Sequence, residues 1–376
     1  ESKSQSLLEA SDLGVRFQQR IVIVKRYLVL FLMTVGSCAQ AQWTITNLNP
    51  GGATWSMATT SVGSKQGGSV TVDGVLRASL WSSSANSWVD LHPSEWESSV
   101  VSSMTASHQG GHVQRGETPR ASLWSGTSAS RIDLHPDGAL SSRVLAMRGL
   151  QQAGYAQFGW VPRASLWSGT SESRIDLHPS AGTQSWIFAL SDSQQGGYVR
   201  VNGVYCASLW SGTADSWIDL NPSGATYSRI AAMSSSHQYG TAVVGGVYRA
   251  SRWGGTADSW VDMSPAGATW SVVSALSGSR QVGRALIGGK YRAGLWSGSA
   301  ASWVDLHAFL PAGFPSSGAT GISTDGVNTY ITGHGYNELT GHEEALIWTQ
   351  PVPEPGTLGV LSLGTLSLLR RRRCKR

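Results

Sequence analysis

The chain has 376 residues, a formal charge of +5 at neutral pH and a pI near 9.2. The basic excess sits at the two ends, because Gln42–Val352 holds 17 Lys and Arg against 19 Asp and Glu, so charge gives no ground for nucleic-acid binding by the body. Of the three cysteines only Cys206 lies in the body, which excludes a disulfide framework.

Residues 1–41 read as a leader with a signal peptide. Lys25 and Arg26 form the positive flank, Tyr27–Val35 is a nine-residue apolar run, and Ala39-Gln40-Ala41 is a small-x-small site for signal peptidase, with Ala39 and Ala41 as its small residues. A run that short does not span a bilayer, which takes about 20 residues. Lipoprotein processing at Cys38 is the alternative, although Gly36 fits it poorly.

The body, residues 42–350, repeats itself. RASLW stands at Arg77–Trp81, Arg120–Trp124 and Arg163–Trp167, a spacing of 43, and continues as CASLW (Cys206–Trp210), RASRW (Arg249–Trp253) and RAGLW (Arg292–Trp296). A degenerate EALIW follows at Glu344–Trp348. Such a period governs the whole fold reading. Four short strands fit each unit. The first is Tyr227–Met233 and its counterparts, with Ser228, Ile230 and Ala232 alternating onto one side, small enough for a crowded axis. The second follows a Gln-x-Gly corner (Gln66/Gly68 through Gln281/Gly283), where Gly implies positive φ or a close approach. The third is RASLW, entered through turns such as Asn202-Gly203. The fourth is SWVDL, with Trp217 and Asp219 on one face and Ile218 and Leu220 on the other.

Four strands per 43-residue repeat predict an all-β fold, a seven-bladed β-propeller. The first W-x-DL-like strand, Trp43–Leu48, stands alone after the leader, and its three missing partners lie at Ala319–Ile322, Thr329–Gly333 and Ala345–Trp348. The N-terminal strand is therefore expected to close the last blade.

Most residues that tempt a chemical reading recur once per unit. The third position of each unit is Asn49, His92, His135, His178, Asn221, Ser264 or His307. Equivalent places in neighbouring blades are too far apart for one ion, whose ligands lie about 2.0–2.2 Å away, so these histidines are read as turn-stabilising and no metal is expected. His92, His135, His178 and His307, with the off-pattern Trp96 and Trp160, form the candidate ligand surface. Asp90, Asp133, Asp176, Asp219, Asp262 and Asp305 are spread around a ring, whereas a catalytic carboxylate pair must converge, so they are read as turn acceptors. The recurring Trp residues are read as packing between blades. No nucleophile elbow or phosphate loop is present. Regularity fails only in Ala308–Gly341, which adds His334; His342 lies just beyond it.

The A-x-LW and W-x-DL segments, the Gln-x-Gly corners and VDLHAFLP at Val304–Pro311 resemble the extracellular HAF-repeat proteins of bacteria, over about Trp43 to Trp348. The resemblance implies a propeller-like fold and an extracellular location, and carries over no catalytic residue.

Residues 351–376 have three parts. They are Val352-Pro353-Glu354-Pro355-Gly356, an apolar segment Thr357–Leu369, and a basic stop of Arg370, Arg371, Arg372 and Arg373. This resembles the PEP-CTERM sorting tail of Gram-negative bacteria, which implies recognition by an exosortase, cleavage near Pro353–Pro355 and delivery to the cell surface or extracellular matrix. The expectation is an exported surface or matrix protein with a structural or interaction role, without catalysis or cofactor. Its processing partners would be signal peptidase and exosortase, and exopolysaccharide or other envelope components are candidate partners. Membrane contact is expected only through the tail before cleavage, and no nucleic acid is expected. A lectin-like carbohydrate-binding propeller is the alternative, and a polysaccharide lyase or hydrolase a second one.

Overall fold

The computed structural model describes residues 42–352. Its 28 strands fall into seven groups of four, each an antiparallel sheet. The fifth group is typical: Ala225–Met233, Gln238–Val244, Val247–Trp253 and the two-residue Val261–Asp262. The fourth and fifth groups are joined by one parallel pairing, Tyr205 with Tyr227, and so count as a single eight-stranded sheet. In the last group the fourth strand comes from the other end of the body. Thr44–Asn47 runs antiparallel to His342–Pro351, with Thr44 opposite Thr349 and Asn47 opposite Leu346. It takes the place that Val89–Asp90 holds in the first group.

The repeated glycine has a steric cause. Each first strand bulges, for example between Ile187 and Ala189, which drives a carbonyl toward the second strand. A Cβ on Gly68, Gly111, Gly154, Gly197, Gly240 or Gly283 would stand 1.8–2.1 Å from that carbonyl oxygen. None of these glycines has positive φ. Of the two meanings the sequence leaves open, close approach is the one realised, and the Gln-x-Gly segment lies inside the second strand rather than before it. The partner glutamine is buried and accepts the backbone N–H that opens the next loop: Gln109 Oε1 from Gly126 (2.9 Å), Gln152 from Gly169 (2.8 Å), Gln195 from Gly212 (2.8 Å). That satisfies a backbone donor which water cannot reach freely.

The core lies between groups. Trp81, Trp124, Trp167, Trp210, Trp253 and Trp296 end the third strands, Trp348 lies within the last of them, and all seven are almost fully buried. Each belongs to a cluster drawn from two successive groups. Trp253, for example, packs with Leu209 and Leu220 of the preceding group and with Ile230 and Ala242 of its own. The same holds where the chain's ends meet, since Leu48, Ala345 and Ile347 pack with Ala58, Val70 and Trp81. Burying an indole removes about 150–250 Å² from water, so the junctions carry much of the apolar stabilisation.

The fourth strand departs from expectation. Only two residues enter the ladder in each of the first six groups, and Ile218 is 45% exposed while Leu220 is fully buried. The two do not share a face, because the chain turns after Asp219, whose carboxylate accepts the Asn221 N–H at 2.7 Å. Upstream, Thr213 and Ser216 form a reciprocal capping box around a single 3-10 turn, Ala214–Ser216, which shortens the strand further.

Adding a methyl group at Gly197 should be costly, since it must displace the Trp186 carbonyl 1.9 Å away. Gly197→Ala should lose at least about 2 kcal/mol, read as a lower midpoint in thermal or urea unfolding. Gly254→Ala, whose Cβ would meet only ordinary contacts at 3.6 Å, should leave the midpoint nearly unchanged. Equal midpoints for the two variants would remove the steric account.

Candidate functional site

The third-position residues form a hydrogen-bond relay that links successive groups. The backbone N–H of the third-strand alanine donates to a serine on the first strand of the next group: Ala78 to Ser99 Oγ (2.8 Å), Ala121 to Ser142 (2.9 Å), Ala164 to Ser185 (2.8 Å). The serine also meets the third-position side chain. His92, His135, His178 and His307 place Nδ1 at 2.9, 2.8, 2.7 and 2.8 Å from Ser99, Ser142, Ser185 and Ser317. Asn49 and Asn221 use Oδ1, which accepts from Ser56 and Ser228 at 2.6 Å. Serine is the donor there, and the same role with histidine leaves Nδ1 as acceptor and the ring proton on Nε2. His135 agrees, its Nε2 lying 2.9 Å from the Ala139 carbonyl oxygen. These rings are at least half-buried and bridge sheets, which is a larger role than steadying the turn before proline.

The recurring aspartates are likewise occupied. Asp90 Oδ1 accepts the His92 N–H at 2.8 Å, and its Oδ2 lies 2.8 Å from Arg77 Nη1. The same pairs recur as Arg249–Asp262 (2.6 Å) and Arg292–Asp305 (2.7 Å). In the fourth group Cys206 replaces the arginine, and burial pushes its thiol up to about 11. In the seventh, Glu344 stands in the arginine's place and accepts from Asn47 Nδ2 at 2.5 Å. Among the described residues no three His, Cys, Asp or Glu side chains are grouped to hold a metal.

The first strands of all seven groups line a cavity of about 480 Å³. Its walls are Ser, Thr, Ala, Gly, Met, Leu and Ile, with Phe188 and Arg148, and hold no carboxylate or imidazole. Arg148 is paired with Asp192 at 2.7 Å. In the irregular region His334 is buried, and burial first, then the Arg284 charge, lowers it to about 4. His342 is engaged with the Glu343 carbonyl oxygen at 3.2 Å.

Trp96 and Trp160 do not form one surface. Trp96 is half-buried beneath the guanidinia of Arg115 and Arg131, 5.3 and 4.9 Å from its ring, whereas Trp160 is 90% exposed. The sequence reading missed a larger feature. Tyr205, Tyr227, Tyr248, Trp270 and Tyr291 form an unbroken run across the fourth to sixth groups, with successive centroids 5.9, 6.1, 6.0 and 5.5 Å apart. Tyr198 extends it inward from Tyr205 at 4.9 Å, then Trp186 and Tyr155. The signal lay in the numbering: these five residues are spaced alternately 22 and 21 apart, half the repeat, because third and next first strands alternate along the arc.

Ala39, Ala41, Pro353, Glu354, Pro355 and Arg370–Arg373 lie outside the described residues. Val352 is inside, and its N–H donates to the Val327 carbonyl oxygen at 2.7 Å. No helix among the described residues is long and apolar enough to cross a membrane.

Residues 351–373 match the PEP-CTERM protein-sorting motif, which indicates export and cell-surface sorting in Gram-negative bacteria and processing by exosortase. No curated protein is similar in sequence. Among solved structures, the β-propeller domain of the Trilobed protease from Pyrococcus furiosus is similar at TM-score 0.53 and 8% identity, covering 82% of this chain and 97% of that one. Puromycin hydrolase is similar at TM-score 0.50 and 11% identity, covering 77% and 53%, so the chain spans about half of that protein's length. The acylaminoacyl peptidase of Pyrococcus horikoshii is similar at 0.50 and 9%, covering 83% and 54%. At such identities the likeness is one of fold, all-β and propeller-like.

The relay predicts acid sensitivity. Burial, the largest cause for each, holds His92, His135, His178 and His307 below the ordinary value of 6.5. The unfolded chain then takes up protons before the folded one, so stability is present above about 6.5 and is lost as pH falls below it. The urea midpoint should drop between pH 7.5 and 5.5. A variant carrying His92→Asn, His135→Asn and His178→Asn, the residue type already used at Asn49 and Asn221, should drop less. Identical pH slopes would dismiss the relay as its source.

Proposed function

We propose that this is an exported, surface-sorted protein whose body is a closed seven-bladed β-propeller of the HAF-repeat kind, serving a non-catalytic structural or interaction role in the envelope or extracellular matrix. The observation that carries the location is the sorting motif at 351–373. Ring closure is supported by the relay itself. Ala345 donates to Ser56 Oγ at 2.8 Å, joining the last group to the first as Ala78 and Ser99 join the first to the second. The cavity lined by every first strand also suits a central axis. A non-catalytic role is favoured by the cavity's plain walls and by the engagement of the recurring His and Asp side chains in construction. The similar peptidase structures carry no argument for this chain's chemistry. A lectin-like role is the second reading, favoured by the aromatic run.

The processed protein, recovered from the cell surface or medium, should have lost Arg370–Arg373 by intact mass, with its start near Gln42. Glu354→Ala should leave the tail in place and the protein with the membrane fraction. A surface product that keeps the arginine cluster would contradict exosortase processing.

A further inference from the structure

Repetition supplies an internal control. Seven groups fold alike, so a side chain present in some and absent from others is not required by the fold. At the entry to the third strand the first three groups have Leu76, Pro119 and Pro162, and the next three have Tyr205, Tyr248 and Tyr291. At the start of the first strand the six equivalent positions are Trp55, Ser98, Ser141, Gln184, Tyr227 and Trp270, so that only in the fifth and sixth groups does an aromatic here join the tyrosines of the third strands. Tyr248 and Tyr291 are 42% and 41% exposed, where leucine or proline suffices elsewhere. Exposed aromatics gathered on one side of a regular body mark a contact surface.

Three guanidinia lie beside these rings. Arg200 lies over Tyr205 at 5.4 Å, Arg229 over Phe188 at 5.4 Å, and Arg284 over Trp270 and Tyr291 at 5.2 and 5.3 Å. Among the described residues none of the three forms an ion pair, unlike the arginines of the RASLW segments. Glu343 is the acidic group that feels Arg284. A guanidinium near a ring can still offer N–H donors to a carboxylate, although Arg200 also donates its Nε–H to the Gly203 carbonyl oxygen at 3.4 Å.

We propose that the arc Tyr205–Tyr291 binds an extended acidic polysaccharide rich in uronic acids, with sugar faces on the exposed rings and carboxylates at Arg200, Arg229 and Arg284. This rests on the surface-sorted, non-catalytic reading above and names its ligand class. The run is several rings long, which suits a chain polymer better than a single sugar, and its phenols supply hydrogen bonds to hydroxyls. Single-stranded nucleic acid also pairs aromatics with arginines. Neighbouring rings here are tilted by 44° and 37° or stand edge-on at 86°, which leaves no parallel slot for a base.

The test is affinity electrophoresis of the purified chain through gels containing alginate as polyuronate, dextran as neutral glycan, or neither, with oligothymidylate binding measured alongside. Alginate alone should retard the protein, and raised salt should weaken the effect. The double variant Tyr248→Leu with Tyr291→Leu, which takes the residue type found at Leu76, should bind at least tenfold more weakly with an unchanged thermal midpoint. Arg284→Gln should weaken binding and flatten its salt dependence, and serves if the double variant is unstable. Trp160→Ala should change nothing. No retardation by alginate, equal retardation by dextran, tighter binding to oligothymidylate, or undiminished binding by the arc variants would each overturn the proposal. Absence of binding by a correctly sorted protein sinks only the ligand assignment. Shortening of the alginate would sink the non-catalytic reading while leaving the arc as its binding surface.

Discussion

The bond from a third-strand alanine N–H to a serine on the next group is the contact on which the architecture turns. Both partners are buried, and the serine's own proton continues to a His, Asn or Ser at the third position of the unit: Ser228 to Asn221 at 2.6 Å, Ser271 to Ser264 at 2.9 Å. A buried N–H left unmet costs about 1–3 kcal/mol, so each junction needs its serine. The link spans 21 residues at the first five junctions, 24 between Ala293 and Ser317, and 289 between Ser56 and Ala345. Three positions must stay in register for it to form, which gives a physical reason for a repeat that holds its spacing of 43 through six RASLW-type segments.

Other positions vary in pairs around that fixed contact. Trp88 donates its indole N–H to Ser79 Oγ at 2.9 Å, and where arginine replaces tryptophan, Arg131 Nε donates to Ser122 at the same distance. In the sixth group serine gives way to Gly294, and the Trp303 ring occupies the vacated space, 1.8 Å from where a Cβ would be. There it packs edge-on to Trp296 at 4.6 Å. The Arg–Asp pair becomes Cys206 beside Asp219 in one group and Glu344 with Asn47 in another. Such exchanges preserve a contact while changing its chemistry, as expected where packing sets the requirement.

What could be read from sequence was what recurs. The period, the four strands and the recurrence of the glycine are all stated by residue spacing, and the pairing of Thr44–Asn47 with the last strand follows from the unmatched strand at the start. The failures have specific causes. Alternation placed Ile218 with Leu220, but an aspartate that bonds two residues ahead ended the strand between them. Trp96 and Trp160 stood out because they broke the pattern, yet one is covered by two arginines and the other stands alone. Gln66 and its equivalents looked like corner residues because the loop they hold is 17 positions downstream.

The aromatic arc was illegible for a deeper reason. Its members alternate between two repeat positions, third strand and next first strand, so neither column alone draws attention. The two columns meet only where successive groups adjoin, as Tyr205 with Tyr227 and Tyr248 with Trp270. In a body built of near-copies, recurrent residues report how the units are joined, and departures confined to one side report what the assembly does. The cavity holds two departures, Phe188 and Arg148, among small or aliphatic side chains, and the exposed aromatic departures are more numerous. They lie on the fourth to sixth groups, where tyrosines replace leucine and proline and unpaired guanidinia lie against rings. That distribution favours a polymer lying across several groups over a small molecule in a central pocket. It also suits a protein sorted to the cell surface, where each further ring engaged adds to the hold on one long ligand.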